Sequence, residues 1–220
     1  RLHRFELGQE EKRVRHALNL AAQGKTVALI SSGDPGIYAM ATLVFEMLEY
    51  TDAEPDQHSA WRRIRVVSTP GITAMQAAGA LAGAPLGHDF CSISLSDLLT
   101  PWDTIKRRII AAAKSDFVIA FYNPVSSKRI NQLYEAQKIL LKHRSPDTPV
   151  ILAHNLGRNG ERVNFVTLFN MDPSEADMLT VIIVGSSQSK IIQLPNGVVR
   201  VFTPRGYHKK QETEKTLPVC

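Results

Sequence analysis

Apolar residues at Val14, Ala17, Leu18, Ala21 and Ala22 recur at helical spacing behind Gly8-Gln9-Glu10-Glu11, and Gly24 follows as a stop. The pattern therefore predicts a first helix. The short, partly β-branched run 27–30 then predicts a buried strand. It breaks at Ser31-Ser32-Gly33-Asp34-Pro35-Gly36, and helical spacing resumes at Ile37, Met40, Ala41 and Val44 to carry a helix to about Tyr50. The polar stretch 52–59 reads as a loop, 64–68 as a strand, and Thr69-Pro70-Gly71-Ile72-Thr73-Ala74 as a second turn of the same kind. The helix expected over 75–82 is almost all small residues, which suits close packing against a sheet.

Further on, strands are predicted over 90–95, 117–121, 150–153, 163–168 and 180–185, with an edge strand over 198–202. Helices are predicted over 103–114 and 128–143, the second with Ile130, Leu133, Tyr134, Gln137, Leu140 and Leu141 on its inner face. The loop 154–161 reads as a hairpin connection. Strands alternating with helices predict an α/β fold. A junction near 95–100 divides it into an N-terminal α/β domain, 1–95, and a C-terminal α/β domain, 96–207, with 208–220 as a disordered tail.

Composition narrows the function. Apolar residues at 44% and charged ones at 21% fit a soluble globular chain. A net charge of +5 favours anionic ligands, yet the basic groups are scattered without interleaved aromatics, which points to an acidic small molecule and not to nucleic acid. Only Cys91 and Cys220 are present, no run is long enough to span a membrane, and no secretory leader precedes the first helix, so a cytoplasmic setting is expected. His3, His16, His58, His88, His143, His154 and His208 show no metal-ligand spacing, and no metal is expected. There is no G-x-S-x-G elbow, no Walker A run and no G-x-G-x-x-G fingerprint. What remains is a set of polar Gly/Pro turns after strands, which offer backbone donors and acceptors but no obvious nucleophile. Such a set suits a cofactor that carries its own reactive group.

Ser32-Gly33-Asp34-Pro35, Pro70-Gly71-Ile72-Thr73-Ala74, Tyr122-Asn123-Pro124 and Ile182-Ile183-Val184-Gly185, in that order and at those separations, resemble the tetrapyrrole methylase family. Within it, 86–90, 94–102 and 154–158 resemble the members that methylate C(17) of precorrin-3B in cobalamin biosynthesis. The family begins with a strand ending in a Gly-x-Gly-Pro-Gly loop, and nothing ahead of Phe5 matches it, so the chain resembles a member without its first strand.

The resemblance implies two α/β domains, each a sheet flanked by helices, with S-adenosylmethionine in a cleft between them and S-adenosylhomocysteine as product. Carried over by position, Ser32, Gly33, Asp34 and Ile37 would hold its methionine and ribose, with Thr73 and Ala74 adding contacts. Tyr122, Asn155 and Thr180 would close on the adenine. It further implies methyl transfer to a ring carbon coupled to ring contraction. Asp97, Ser96, His88 and His154 are candidates for the proton movement this needs. Asp97 and Arg158 are expected to touch the anionic tetrapyrrole, with Arg62, Arg107, Arg108 and Lys128 as further basic candidates. A homodimer is also implied. Two alternatives stay open: a different tetrapyrrole methylase, acting on uroporphyrinogen-III or precorrin-4, or a truncated binding module without turnover. Each turn residue also has a plain reading as backbone geometry, and Asp34 can simply start a helix.

Overall fold

A computed structural model describes residues 1–126 and 129–207. The chain is α/β, with two sheets flanked by helices. It divides into two compact units, Arg1–Thr73 and Ala74–Cys220.

The first unit holds helices α1 (Glu10–Ala22), α2 (Met40–Glu49) and α3 (Pro55–Arg62). Val14 and Leu18 of α1 are buried with Met40, Met47 and the fully buried Trp61. At the end of α1, Gly24 has φ +82°, its amide reaches Ala21 O, and the Lys25 amide reaches Leu20 O, which is a Schellman stop. The stretch expected as a polar loop instead contains α3. Pro55 starts it at the first helical position, where no amide bond is lost, and Trp61 anchors its end. Trp61 Nε1 and Gln57 Nε2 both donate to Asn19 Oδ1, at 2.9 and 2.8 Å.

The strands expected over 27–30 and 64–68 do not form. Both segments lie outside every ladder, with Ile30 81% and Val67 70% exposed. An apolar, β-branched run becomes a strand only when a neighbour accepts its amides and carbonyls, and no described segment of this unit does so.

The second unit begins with α4 (Ala74–Ala82), β1 (Gly83–Ala84), β2 (Phe90–Ser94), α5 (Trp102–Lys114) and β3 (Val118–Tyr122). It continues with α6 (Gln132–Leu141), β4 (Pro149–His154), β5 (Arg162–Thr167), β6 (Thr180–Val184), β7 (Lys190–Gln193) and β8 (Val199–Phe202). The five-stranded sheet runs β2-β3-β6-β4-β5, with only the β2–β3 pair parallel. Its central strands are apolar on both faces. Ile119, Phe121, Val150, Leu152, Ile182 and Val184 face α5 and α6, while Val118, Ala120, Ile151, Ala153, Val181 and Ile183 face α4. Burial of both faces is why these strands read as continuous hydrophobic runs.

Because β2 pairs with β3 from Phe90 to Ser94, it belongs to this sheet, and the compact units part after Thr73 and not near 95–100. Strand β8, expected at an edge, is the middle of a second sheet, β1-β8-β7. Helix α6 buries Leu133, Ala136, Gln137 and Leu140, whereas Ile130 and Tyr134 are exposed. The predicted start of that helix at Lys128 and the tail 208–220 lie outside the described residues.

Candidate active site

The sheet register decides which loops meet. Ser94 pairs with Tyr122, Phe121 with Ile182, and His154 with both Thr180 and Arg162. Strands β3 and β4 both run antiparallel to β6, so the carboxyl ends of β2, β3 and β4 share one sheet edge with the starts of β5 and β6. Ligands in α/β sheets bind beyond strand carboxyl ends, and this edge carries Ser94, Ser96, Asp97, Asn123, His154 and Thr180.

Behind β2, Asn123 Nδ2 and the Ser96 amide donate to Ser94 Oγ at 3.0 and 3.2 Å. Arg129 donates through Nη1 to Ser96 Oγ at 3.3 Å and through Nη2 to the Asn123 carbonyl at 2.9 Å. Its Nη1 also lies 3.8 Å from Asp97 Oδ1, while Gln132 Nε2 donates to Asp97 Oδ2 at 2.8 Å. Both oxygens of Asp97 therefore face donors, and the mostly buried Arg129 finds no partner for its Nε among the described residues. The Tyr122 hydroxyl accepts from the Met75 amide at 3.0 Å, which occupies one of the unpaired donors of the first turn of α4 and ties Ala74 to this edge.

At the end of β4, His154 Nδ1 lies 3.1 Å from Asp177 Oδ1 and 3.3 Å from Thr180 Oγ1. Asp177 Oδ1 also accepts from the Thr180 hydroxyl and the Leu179 amide, each at 2.8 Å. Burial pushes the Asp177 carboxyl up, but the Thr180 and Leu179 donors and the charges of His154 and Arg162 outweigh it and hold it below the usual range. Asn155 follows with φ +54°, its amide bound to Leu179 O and its side chain donating to Asn159 O. Asn123 takes the matching conformation, φ +51°, just past β3. Asn tolerates this left-handed region better than most residues. Arg158 is exposed on the same loop.

His88 does not join this group. It precedes β2, so the five residues of the strand, roughly 17 Å, separate it from Ser96 and Asp97. Its Nδ1 accepts from the Asp89 amide at 2.8 Å in an exposed loop. Arg62, Arg107 and Arg108 are exposed on helices, Arg62 3.9 Å from Glu49 and Arg107 bonded to Thr104. Lys128 lies outside the described residues.

In the first unit, the two turns predicted for cofactor contact press together backbone to backbone. A Cβ placed on Gly71 would lie 2.2 Å from the Gly33 carbonyl oxygen, and Gly33 itself has φ +80°. Asp34 staples them: Oδ2 accepts from the Gly71 amide at 3.0 Å and Oδ1 from the Gly36 amide at 2.8 Å. Those bonds, Gly71 first, hold its carboxyl below the usual range. Ser31, Ser32 and Gly33 remain exposed, Ile37 is half-buried, and Thr73 is buried. Exposed serine and glycine backbone beside a carboxylate fits the amino-acid end and ribose of a sulfonium cofactor.

The sequence pattern missed Asp177, Arg129 and Gln132, and marked Asn123 only as part of a turn. Asp177 had a faint signal, an Asp three residues ahead of a Thr that opens the most apolar strand.

The profile of the Tetrapyrrole (Corrin/Porphyrin) Methylases matches residues 2–172. The chain is 44% identical over 199 residues to a precorrin-3B C(17)-methyltransferase of Sinorhizobium sp, covering 90% of this chain and 76% of that protein. It is 44% identical over 211 residues to a cobalt-factor III methyltransferase of Priestia megaterium, but spans only 37% of that relative's length. Among solved structures, that of the methyltransferase CobJ matches with a TM-score of 0.82 and 39% identity, over 92% of this chain and 80% of that one. A uroporphyrin-III C-methyltransferase from Thermus thermophilus, solved with S-adenosyl homocysteine, shares the fold at 18% identity and a TM-score of 0.57. With more than half of its length matched, the chain belongs to the tetrapyrrole (corrin/porphyrin) methylases.

Proposed function

We propose that this chain transfers the methyl group of S-adenosylmethionine to C(17) of a corrin precursor, precorrin-3B or cobalt-factor III, with ring contraction, in cobalamin biosynthesis. The observation that carries this reading is the 44% identity, over 90% of the chain, to a protein of that activity. The geometry supports it in two ways. A sulfonium methyl is already activated, so transfer requires an aligned carbon nucleophile and no nucleophilic side chain, and the described sheet edge presents hydrogen-bonding groups of just that kind. The later rearrangement needs protons moved at oxygen, for which Ser96 and Asp97, past the end of β2, and His154, at the end of β4, are the candidates on that edge.

Toward the cofactor, Ser32, Gly33, Asp34, Ile37 and Thr73 of the first unit and Ala74, Tyr122, Asn155 and Thr180 of the second are the residues assigned. The Thr180 hydroxyl is spent on Asp177 and the Asn155 amide on its own loop, so these two would serve through backbone and shape. Arg158 and Asp97 are assigned to the carboxylate-rich tetrapyrrole. The reading carries with it a homodimer in the cytoplasm; among the described residues, no helix is long and apolar enough to cross a membrane.

The test is incubation of the chain with methyl-labelled S-adenosylmethionine and cobalt-factor III or precorrin-3B, followed by product mass spectrometry. One methyl group gained on the corrin precursor is expected. Label appearing only on uroporphyrinogen-III or precorrin-4 would replace this reading with another methylase, and no label on any tetrapyrrole would leave a binding module.

A further inference from the structure

Resting on the reading that the reaction moves protons at the sheet edge, we propose that Asp177 is a positioning residue that fixes the tautomer of His154 and leaves its Nε2 as the proton acceptor. Thr180 Oγ1 has a single proton, and its 2.8 Å contact with Asp177 Oδ1 uses it. The same hydroxyl oxygen accepts from the Asp177 amide at 3.0 Å. Nδ1 of His154 therefore faces two acceptors, a carboxylate oxygen at 3.1 Å and a hydroxyl oxygen at 3.3 Å. A bare lone pair there would be repelled by the carboxylate, so Nδ1 carries the proton and the neutral ring presents an unprotonated Nε2. Among the described residues Nε2 makes no hydrogen bond, and the side chain as a whole is 14% exposed.

Asp177 is itself well fixed. Its Oδ1 takes the Leu179 amide in an Asx turn, and the 3₁₀ turn Pro173–Glu175 lies just ahead of it. Asp177 also lines a cavity of about 420 Å³, with Val125, Ile130, Ala176 and Met178 and the polar Ser126 and Ser174. Arg162, paired with His154 across the ladder, is the other charged group acting on Asp177. The side chain that would accept the proton thus comes from the end of β4 and the one that orients it from the loop ahead of β6, brought together by the β4–β6 register.

The experiment reads the tautomer directly. In ¹⁵N-labelled protein at a pH where the ring is neutral, two-bond ¹H–¹⁵N correlations, assigned with His154→Gln, should show the Nδ1–H form. Asp177→Ala should move the proton to Nε2 and lower kcat for formation of the ring-contracted product from cobalt-factor III about ten- to a hundredfold, within the range a proton-transfer group contributes, with KM within about threefold. Asp177→Asn keeps both the turn and an acceptor oxygen, so it should restore the Nδ1–H form and recover part of kcat. An Nε2–H tautomer in the unaltered protein overturns the proposal. So does an Asp177→Ala variant whose tautomer is unchanged, whatever its rate. If the unaltered protein transfers no methyl group, the functional reading fails, and the tautomers of the three proteins still decide what Asp177 does.

Discussion

The paired turns at Gly33 and Gly71 and the sheet edge at His154 both gather polar groups beside glycine-rich loops, but they are held by different means. The edge stands on strands buried on both faces, so its side chains inherit their spacing from a ladder that fixes Ser94 against Tyr122 and His154 against Thr180. The turns have no ladder beneath them. They are held by one another, through a backbone contact that only glycine permits at position 71 and a carboxylate that takes an amide from each side. Side-chain chemistry sits where the scaffold is a sheet, and backbone chemistry where the scaffold is two loops in contact.

The largest effect should come from the sheet. Ile182 is fully buried between β3 and β4, and Ile182→Ala should cost about 2–5 kcal/mol in urea unfolding followed by circular dichroism. Gly71→Ala tests the turns: because the obstruction is a backbone carbonyl and not a flexible side chain, the loops must part, at about 1–3 kcal/mol. A Gly71→Ala protein as stable as its parent would mean that the turns do not depend on their mutual contact. Tyr122→Phe removes the acceptor of the Met75 amide and should cost about 1 kcal/mol, read in the same unfolding curves.

The same contrast explains what could be read from the sequence. Strands β4 and β6 and helix α5 were legible because their burial shows locally, as a continuous apolar run for the strands and a period of three to four for the helix. Residues 27–30 carry a comparable apolar run, yet without a partner it stays single, because a strand is a property of a pair. Helix α3 was hidden by its polar sequence, Asp56-Gln57-His58-Ser59, whose single buried anchor, Trp61, comes at the end. Strand β7 has no buried residue and so left no pattern. In the candidate site, Asp97, Ser96 and His154 could be named from their loops. Asp177 could not, since its partner lies 23 positions earlier (177 − 154 = 23) and meets it only through the register of β6 on β4. Arg129 left no signal because basic character alone does not mark a buried side chain.

The smallest predicted effect belongs to Asp34, and its dependence on pH separates a staple from a plain helix start. An Asn at a helix start would keep an acceptor and change little. Here both carboxylate oxygens are engaged, and Asn offers one acceptor and one donor, so it can satisfy Gly36 or Gly71 but must turn an N–H toward the other. Asp34→Asn should therefore lower the melting temperature at pH 7. The sign with pH follows from the bonds. Because the folded carboxyl lies below its ordinary value of 3.8, its contribution is complete above that value and is lost as pH falls through the folded one. The gap between Asp34→Asn and its parent should accordingly be widest at neutral pH and close in acid, where the parent's carboxyl is also neutral. A gap that persists unchanged into acid would assign the loss to shape and not to the charge that bridges the two turns. No gap at either pH would leave the contact at Gly71 to hold them alone.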